Sequence, residues 1–321
     1  MEYRRLGKYG LKVSELSLGA WVTFGEQVGE GGARECIHAA YDAGVNYFDN
    51  ADVYASGNAE VVMGNVMKDI PRTDLVISSK VFWPVGEGPN DRGLSRKHIM
   101  ESVHGSLERL GTDYLDLYFC HRYDLDVPVE EVVRAMDDLV HQGKVLYWGT
   151  SEWRSGQIAH AVGIARQWGL YAPAVEQPQY NMFTRSIVET ELVEAAHQHG
   201  IGLVTWSPLA SGILTGKYNE GIPEGTRLAD PNYAWLRDFV TDEKIAKVQQ
   251  LAKIARELDC TLAQLAIAWL LRIPEVSSVI TGASRVSQVH ENLKAIEINE
   301  QLTPDLLDRI ETILDNAPQG H

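Results

Sequence analysis

The chain has 321 residues, of which 45% are hydrophobic and 23% are charged, and its formal net charge is −15 at pH 7. The composition is that of an ordinary globular protein, and the acidic balance argues against nucleic-acid binding, because neutralising phosphates needs a basic surface. No apolar run approaches the roughly 20 residues of a membrane-spanning helix, so we expect no insertion into a membrane.

The cysteines and the first residues bear on the cellular compartment. Cys36, Cys120 and Cys260 lie far apart, with neither a CxxC pair nor Cys/His metal spacing. This usage is typical of a reduced protein of the cytoplasm. The opening MEYRRLGKYG lacks the apolar segment of a signal peptide. We therefore expect a cytoplasmic protein without a bound metal.

The predicted elements begin with a hairpin and continue as a regular alternation. In EYRRLGKYGLKVSEL, a KYG turn separates two short extended runs, which predicts an N-terminal β-hairpin. Eight candidate strands follow: Leu16–Ala20, Tyr47–Ala51, Leu75–Val81, Asp116–His121, Leu146–Ser151, Ala174–Tyr180, Gly202–Pro208 and Ser277–Ala283. Amphipathic segments lie between them: Ala33–Ala43, Arg96–Leu110, Glu130–His141, Gln157–Trp168 and Ile187–His199.

The segment Arg96–Leu110 illustrates the helical pattern. Ile99, Val103, Leu107 and Leu110 recur at three- and four-residue spacing and leave the charges on the other side. Strands that alternate with such helices predict a parallel sheet. Eight repeats favour a (β/α)8 TIM barrel over an open sheet.

A doubly wound α/β sheet is the alternative fold. It would carry GxGxxG after its first strand, whereas Gly25, Gly29, Gly31 and Gly32 have the wrong spacing and predict a surface loop. No low-complexity segment or change of composition marks a second domain. Residues 1–321 are therefore predicted to form a single barrel domain.

Chemically useful side chains stand at the predicted C-terminal ends of the strands. They are Asp49, Lys80, His121, Ser151, Gln177 and Trp206. In a barrel these ends share one mouth, where active sites form. The Gly- and Pro-rich stretch 209–242 follows the seventh strand at the same end, and loops of that length are usually functional. Each side chain has a structural explanation alone, such as a lysine reaching solvent, but the cluster favours an active site.

Six motifs carry a resemblance to a known family. They are LSLGAWVTFG, YFDNADVY, GTSEW, EQPQYNMF, TWSPLASGILTGKY and GASRVSQVHEN. Through them the chain resembles the aldo-keto reductases along nearly its whole length, and among these it looks most like the potassium-channel β-subunit group and its bacterial relatives. The resemblance implies a barrel with additional C-terminal helices that binds NADP(H) without a Rossmann motif.

The resemblance implies a catalytic tetrad of Asp49, Tyr54, Lys80 and His121. A carbonyl that receives hydride develops alkoxide charge and needs a proton donor. Tyr54 would supply the proton, and the ammonium of Lys80 would lower the phenol's pKa, which is ordinarily near 10. Asp49 would hold Lys80, and His121 would orient the carbonyl.

The resemblance also implies which residues hold the cofactor. Trp206 would stack on the nicotinamide, and Ser151 and Gln177 would bind its carboxamide. The remaining implied contacts are Trp21, Gln27, Asp49, Ser207, Pro208, Leu209, Ala210, Gly212, Lys217, Arg227, Gly282, Ser284, Arg285, Gln288, Glu291 and Asn292. For Arg285, an ordinary surface charge at a helix start is the alternative.

Two positions depart from the related proteins. His121 stands where the channel β-subunits carry Asn, which favours an enzyme. Glu152 stands where relatives have Arg or Asn, so it is not assigned to the carboxamide. We predict an NADPH-dependent reductase of aldehydes or ketones. The alternative is an NADP(H)-binding regulatory subunit that docks on a potassium channel, with little turnover.

Substrate and assembly follow less directly from the chain. Trp21, Tyr54, Trp83 and Tyr123 are expected to line an aromatic pocket for a small carbonyl substrate. A metal-dependent barrel is disfavoured, because no His/Asp/Glu set has ligand spacing. The resemblance to channel subunits implies a homotetrameric ring or an octamer of two rings, whereas many reductases of the family are monomers.

Overall fold

The computed structural model describes residues 1–21, 23–25 and 28–318. The chain opens with an antiparallel hairpin of β1 (Tyr3–Arg5) and β2 (Lys12–Ser14). Because hairpin side chains are buried against inward-facing barrel residues, the hairpin covers the N-terminal end of the barrel. The hairpin prediction is confirmed.

A glycine allows the hairpin to approach the barrel closely. The backbone N–H of Lys8 donates to the carbonyl of Gly200 at 2.9 Å. Gly7 has a φ of +56°, and a Cβ there would lie 2.4 Å from the oxygen of Gly200. Both the left-handed backbone and the lack of space require glycine at this turn.

Eight parallel strands form a closed barrel in the described part of the chain. They are β3 (Leu16–Gly19), β4 (Tyr47–Asp49), β5 (Val76–Val81), β6 (Leu115–Cys120), β7 (Val145–Ser151), β8 (Val175–Gln177), β9 (Gly202–Thr205) and β10 (Val276–Thr281). Each strand pairs with its neighbour in the chain, and β10 pairs with β3 to close the ring. The predicted (β/α)8 fold is confirmed, with most strands shorter than predicted.

The helices surround this barrel and continue beyond its last strand. They are α1 (Glu30–Asp42), α2 (Asn58–Met67), α3 (Arg96–Leu110), α4 (Val129–His141), α5 (Ser155–Trp168), α6 (Val193–His199), α7 (Asp242–Glu257), α8 (Leu262–Leu271), α9 (Val286–Leu293), α10 (Ala295–Asn299) and α11 (Pro304–Leu314). Among the described residues, none of the helices is both long and apolar enough to cross a membrane.

Three helices differ from the sequence prediction. In the predicted segment Ile187–His199, a π-helical turn (Val188–Leu192) precedes α6. Gly31 and Gly32, which were predicted to lie in a surface loop, belong to the first turn of α1. The helix α2 was not predicted, because Gly64 and two asparagines weaken its helical signal. It packs on α1 and α3, and that burial outweighs its weak propensity. By contrast, α3 has the predicted bounds, with Ser95 capping its first turn and Gly111 following its end.

The last barrel strand is also tied to the start of the chain. The guanidinium of Arg4 donates to the backbone carbonyls of Leu271 and Val276, at 3.1 and 2.9 Å. It pairs with Glu15 at 2.5 Å. These bonds fasten β1 to the segment between α8 and β10.

Candidate active site

A cleft of about 740 Å³ opens at the C-terminal ends of the strands. Its wall includes residues at or just beyond the ends of several strands, among them Asp49, His121, Ser151 and Gln177. The other wall is the segment between β9 and α7, which consists largely of short 3-10 turns. This is the end of the barrel where the sequence predicts a site.

The floor of the cleft holds a buried ion pair. The Lys80 side chain is fully buried, and its Nζ lies 2.6 Å from Oδ2 of Asp49. The same ammonium donates to the carbonyl of Asn50 at 2.7 Å and to the phenol oxygen of Tyr54 at 3.2 Å. Burial lowers the pKa of Lys80, but Asp49 and Tyr54 outweigh it and leave the pKa raised. Lys80 is therefore an ammonium at neutral pH.

The carboxylate of Asp49 is held by three further side chains. Its Oδ1 accepts hydrogen bonds from Ser78 at 2.7 Å, Gln177 at 3.0 Å and Tyr47 at 3.4 Å. These donors come from β4, β5 and β8. The ion pair is thus fixed from three strands, which gives Lys80 a single position beneath the cleft.

Tyr54 reaches this ion pair through an unusual turn. The residues after it, Ala55, Ser56 and Gly57, have φ values of +49°, +53° and +87°. Non-glycine residues in this region are strained, and such strain gathers at functional sites. The turn ends the strand-to-helix connection and places the phenol between Lys80 and the cleft.

The net pKa of Tyr54 differs from the sequence expectation. Burial raises the pKa of the phenol, and although the charge of Lys80 lowers it as expected, burial and the Asp49 carboxylate prevail. The sequence analysis expected a net decrease in the pKa of Tyr54, and that expectation is wrong. Tyr54 stays a protonated phenol at neutral pH, with an ammonium beside it.

His121 faces Tyr54 across the cleft. Their ring centres are 5.8 Å apart and nearly perpendicular. Burial, followed by the charges of Lys80 and Arg122, holds the pKa of His121 well below its usual value. The imidazole is therefore neutral, and it can offer one N–H to a ligand.

The next part of the cleft holds Ser151, Gln177 and Trp206. The Ser151 hydroxyl donates to the backbone carbonyl of Gln177 at 2.9 Å. The lone pairs of the Ser151 oxygen can therefore accept a hydrogen bond from a ligand. Since the Gln177 amide N–H₂ donates to Asp49, its oxygen is the atom that can accept. These groups can bind a primary amide.

Glu152 has a contact that the sequence did not reveal. Its Oε1 accepts a hydrogen bond from the indole N–H of Trp206 at 2.9 Å and from the backbone N–H of Gln179 at 2.6 Å. Glu152 itself has a φ of +59°. The carboxylate thereby fixes the plane of the Trp206 ring, which also meets Trp21 edge-on.

A group of cations lines the outer part of the cleft. Lys217, Arg227 and Arg285 all contribute to its wall. Burial, and then the charges of the two arginines, lower the pKa of Lys217. Burial also lowers the pKa of Arg227. In a chain of net charge −15, such a cluster suits a polyanionic ligand, which would relieve the repulsion.

The segment before these cations is tightly folded. Ser207, Ala210 and Ser211 have φ values of +58°, +47° and +57°. A Cβ at Gly212 would lie 2.7 Å from Cε of Lys217, so glycine lets the lysine lie across the loop. The chemistry of the cations and this close cradle fit the phosphates of a dinucleotide.

The remaining predicted cofactor residues fall into three groups. Those on the cleft wall are Trp21, Ser207, Pro208, Leu209, Gly212, Gly282, Ser284 and Gln288. Ala210, Glu291 and Asn292 are not part of that wall; Asn292 is buried and donates to the carbonyl of Gly282 at 3.4 Å. Gln27 lies outside the described residues. The binding role of all of them stays a prediction.

The aromatic pocket differs in part from its prediction. Trp21, Tyr54 and Trp83 line the cleft, and Trp235 joins them from the loop before α7. Tyr123 is not part of the wall, because it packs edge-on against Trp153, with ring centres 4.8 Å apart. The sequence could have indicated Trp235 through its position in the Gly- and Pro-rich stretch 209–242, which was predicted to be functional.

A buried polar network lies behind the cleft and was also missed. Asp52 accepts a hydrogen bond from Ser102 at 2.5 Å, and Glu60 accepts from Ser79 at 2.5 Å and pairs with Arg109 at 2.7 Å. Burial raises the pKa of Asp52 to about 7. Because Asp52 lies two residues before Tyr54, the network anchors the loop that carries the phenol.

Comparison with known proteins gives the family. Residues 15–315 match the model of the Aldo/keto reductase family. The chain is 53% identical over 323 residues to a protein of Arabidopsis thaliana named "Probable voltage-gated potassium channel subunit beta", covering 99% of this chain and 98% of the relative. A protein of the same name from Oryza sativa subsp. japonica is 51% identical over 323 residues, with the same coverage. The resemblance described from the sequence is confirmed: the chain belongs to the Aldo/keto reductase family.

Proposed function

We propose that this protein is an NADPH-dependent reductase that converts aldehydes or ketones to alcohols. The observation that carries the proposal is the phenol of Tyr54, 3.2 Å from a fully buried Lys80 ammonium, with a neutral imidazole opposite. The family typically binds NAD(P)(H). When bound, the cofactor supplies the hydride, and the protein must supply a proton and a place for the developing charge.

Tyr54 is the proposed proton donor. Its raised pKa keeps the phenol protonated at neutral pH, and an alkoxide is a much stronger base than a phenolate. Proton transfer to a newly formed alkoxide is therefore downhill even with the raised pKa. Lys80 stabilises the phenolate that remains, through its hydrogen bond and its charge.

The other residues orient the reactants. The neutral His121 offers an N–H to the carbonyl oxygen, which places that oxygen near the Tyr54 phenol. Ser151 and Gln177 are the proposed partners of the nicotinamide carboxamide, and Trp206 is the platform for its ring. The cleft wall of Trp21, Trp83 and Trp235 excludes water from the apolar body of the substrate.

The proposed cofactor preference is for NADPH over NADH. The outer part of the cleft carries three positive charges, on Lys217, Arg227 and Arg285, which is more than the two negative charges of a pyrophosphate require. Guanidinium groups bind phosphate through charge-assisted hydrogen bonds. A ribose 2′-phosphate would account for the additional positive charge.

The test is loss of NADPH absorbance with a panel of aldehydes and ketones. We expect turnover, and we expect Tyr54→Phe to lower kcat and kcat/KM together by about 10²–10⁴-fold, since a general acid acts chiefly in the transition state. NADPH affinity should change little in this variant. Near-parent rates for Tyr54→Phe would remove the proposed role of the phenol.

The names of the similar plant proteins favour a second candidate. By that similarity, the chain would bind NADP(H) and dock on a potassium channel, as a ring of four chains or a pair of rings. Light scattering tests the assembly, and a mass near the 35.7 kDa of one chain would exclude such a ring. Tight NADPH binding without turnover of any carbonyl would favour this candidate over the reductase.

A further inference from the structure

Arg122 places a cation beside the proposed reaction centre. It follows His121 directly in the chain, it is half-buried, and it lines the cleft. Its guanidinium carbon lies 5.5 Å from the ring centre of Trp83. Trp83 in turn lies 6.3 Å from the imidazole, again between ring centres. The guanidinium thus borders the space next to Tyr54 and His121.

The charge of Arg122 acts on this space. Burial raises the pKa of Tyr54 and lowers that of His121, and Arg122 is among the lesser electrostatic contributions to both. Both contributions have the sign expected of a nearby positive charge. An anion bound at Arg122 would therefore lie close to the reacting carbonyl.

The guanidinium has donors to spare. Of the five N–H donors of an arginine, one is used in the described hydrogen bonds, from Nη1 to the carbonyl of His121 at 2.5 Å. The ion pairs among the described residues do not include Arg122. On the adjacent wall the carboxylate is Asp49, and Lys80 already neutralises it.

Arg122 is also separate from the proposed phosphate site. The cations Lys217, Arg227 and Arg285 influence one another electrostatically, whereas Arg122 influences Tyr54 and His121. We therefore treat the three-cation cluster and Arg122 as two positive regions of the cleft. A dinucleotide phosphate accounts for the first and leaves the second without a ligand.

We propose that the substrate is an aldehyde or ketone that carries an anionic group, a carboxylate or a phosphate, and that Arg122 binds this group. This rests on the proposed function. In the reaction, the carbonyl carbon gains a hydride from NADPH and the oxygen gains the Tyr54 proton, which solvent replaces. The anion stays bound to the guanidinium throughout, and the aromatic wall of Trp83 and Trp235 covers the part between them.

The experiment compares substrates that differ in charge. The probes are 3- and 4-formylbenzoate against their methyl esters, and glycolaldehyde phosphate against glycolaldehyde, measured as kcat/KM by NADPH absorbance. A charged hydrogen bond predicts a preference of about tenfold to a hundredfold for one charged class. The carboxylate and phosphate pairs show which anion is preferred.

Arg122→Gln should bring the ratio of kcat/KM for the charged substrate to kcat/KM for its neutral counterpart close to one, mainly through a higher KM for the charged substrate. Arg122→Lys should restore part of the preference. Arg92→Gln is the matched control, because Arg92 is exposed in the neighbouring loop and is not part of the cleft wall, so it should keep the parent ratio. Circular dichroism confirms folding, and Arg122→Lys remains informative if the Gln variant is unfolded.

A second readout does not depend on turnover. Binding of 4-(hydroxymethyl)benzoate, the product alcohol, should quench tryptophan fluorescence in the parent and in Arg92→Gln, and it should weaken about tenfold or more in Arg122→Gln. If both neutral classes, the methyl esters and glycolaldehyde, are reduced as fast as their charged counterparts, or if the charged-to-neutral ratio of kcat/KM is unchanged in Arg122→Gln, this inference is overturned and the proposed function is not. Absence of turnover for every carbonyl would instead overturn the proposed function and this inference with it.

Discussion

Replacing Lys80 by methionine should damage stability and activity for two separable reasons. The ammonium is fully buried and bonds Asp49 at 2.6 Å and Asn50 at 2.7 Å. Methionine fills similar volume but leaves the Asp49 carboxylate, itself 3% exposed, without a counter-charge. Removing one partner of a buried ion pair costs about 3–5 kcal/mol, and we expect Lys80→Met to lower the free energy of unfolding by that amount.

The double variant Lys80→Met/Asp49→Asn is the control. Asparagine removes the buried charge and keeps an oxygen that can accept from Ser78 and Gln177. Because the remaining groups are neutral, we expect it to recover at least half of the lost stability. Urea unfolding of the parent, both single variants and the double variant gives the coupling between the two residues.

Activity should not recover with stability. Lys80→Met and the double variant both lack the charge that stabilises the Tyr54 phenolate, so kcat should fall by about 10²–10⁴-fold in each. The assay is NADPH-linked carbonyl reduction on the same folded samples. The reasoning is refuted if Lys80→Met loses less than about 1 kcal/mol, or if the double variant regains activity together with stability.

Three other measurements address features outside this ion pair. The pKa of Asp52, about 7, exceeds the unfolded value near 3.9, so the native state binds its proton more tightly and stability falls as pH rises between the two values. Asp52→Asn should reduce that decline between pH 5 and 8 in urea unfolding, and an unchanged slope would contradict the assignment. Glu152→Ala should weaken NADPH binding about fivefold and alter the fluorescence of Trp206, whereas Glu152→Gln keeps an acceptor and should bind like the parent; equal affinities for all three would exclude a positioning role. Arg285→Ala should narrow the preference for NADPH over NADH by about tenfold or more, and a parent protein that binds both equally would remove the basis for this expectation.

The barrel can be predicted from the sequence because its signals are local. Each strand is a short β-rich run, and each predicted helix has its own apolar stripe, as Arg96–Leu110 shows. The strand-end residues Asp49, Lys80 and His121 follow from the same reasoning, since parallel strands present their C-terminal ends to one mouth. These predictions need no knowledge of distant contacts.

The features of the site that the sequence alone did not predict depend on tertiary packing. Tyr54 lies in a turn with left-handed residues, and its position came from family resemblance alone. The net direction of its pKa shift depends on how deeply the cleft buries it. The contact of Glu152 with Trp206 joins residues 54 positions apart, and Tyr123 turned toward Trp153 and away from the cleft. No local pattern specifies any of these arrangements.

The bonds of Arg4 have a consequence for how the chain folds. The guanidinium binds carbonyls as far as 272 positions later, and the first barrel strand pairs with the last. During synthesis at about 5–20 residues per second, the N-terminal hairpin therefore waits on the order of tens of seconds before its partners leave the ribosome. Contacts of such long sequence separation slow folding. Until β10 emerges, the barrel cannot close, and the edges of its first and latest strands stay unpaired; unpaired strand edges are prone to aggregate.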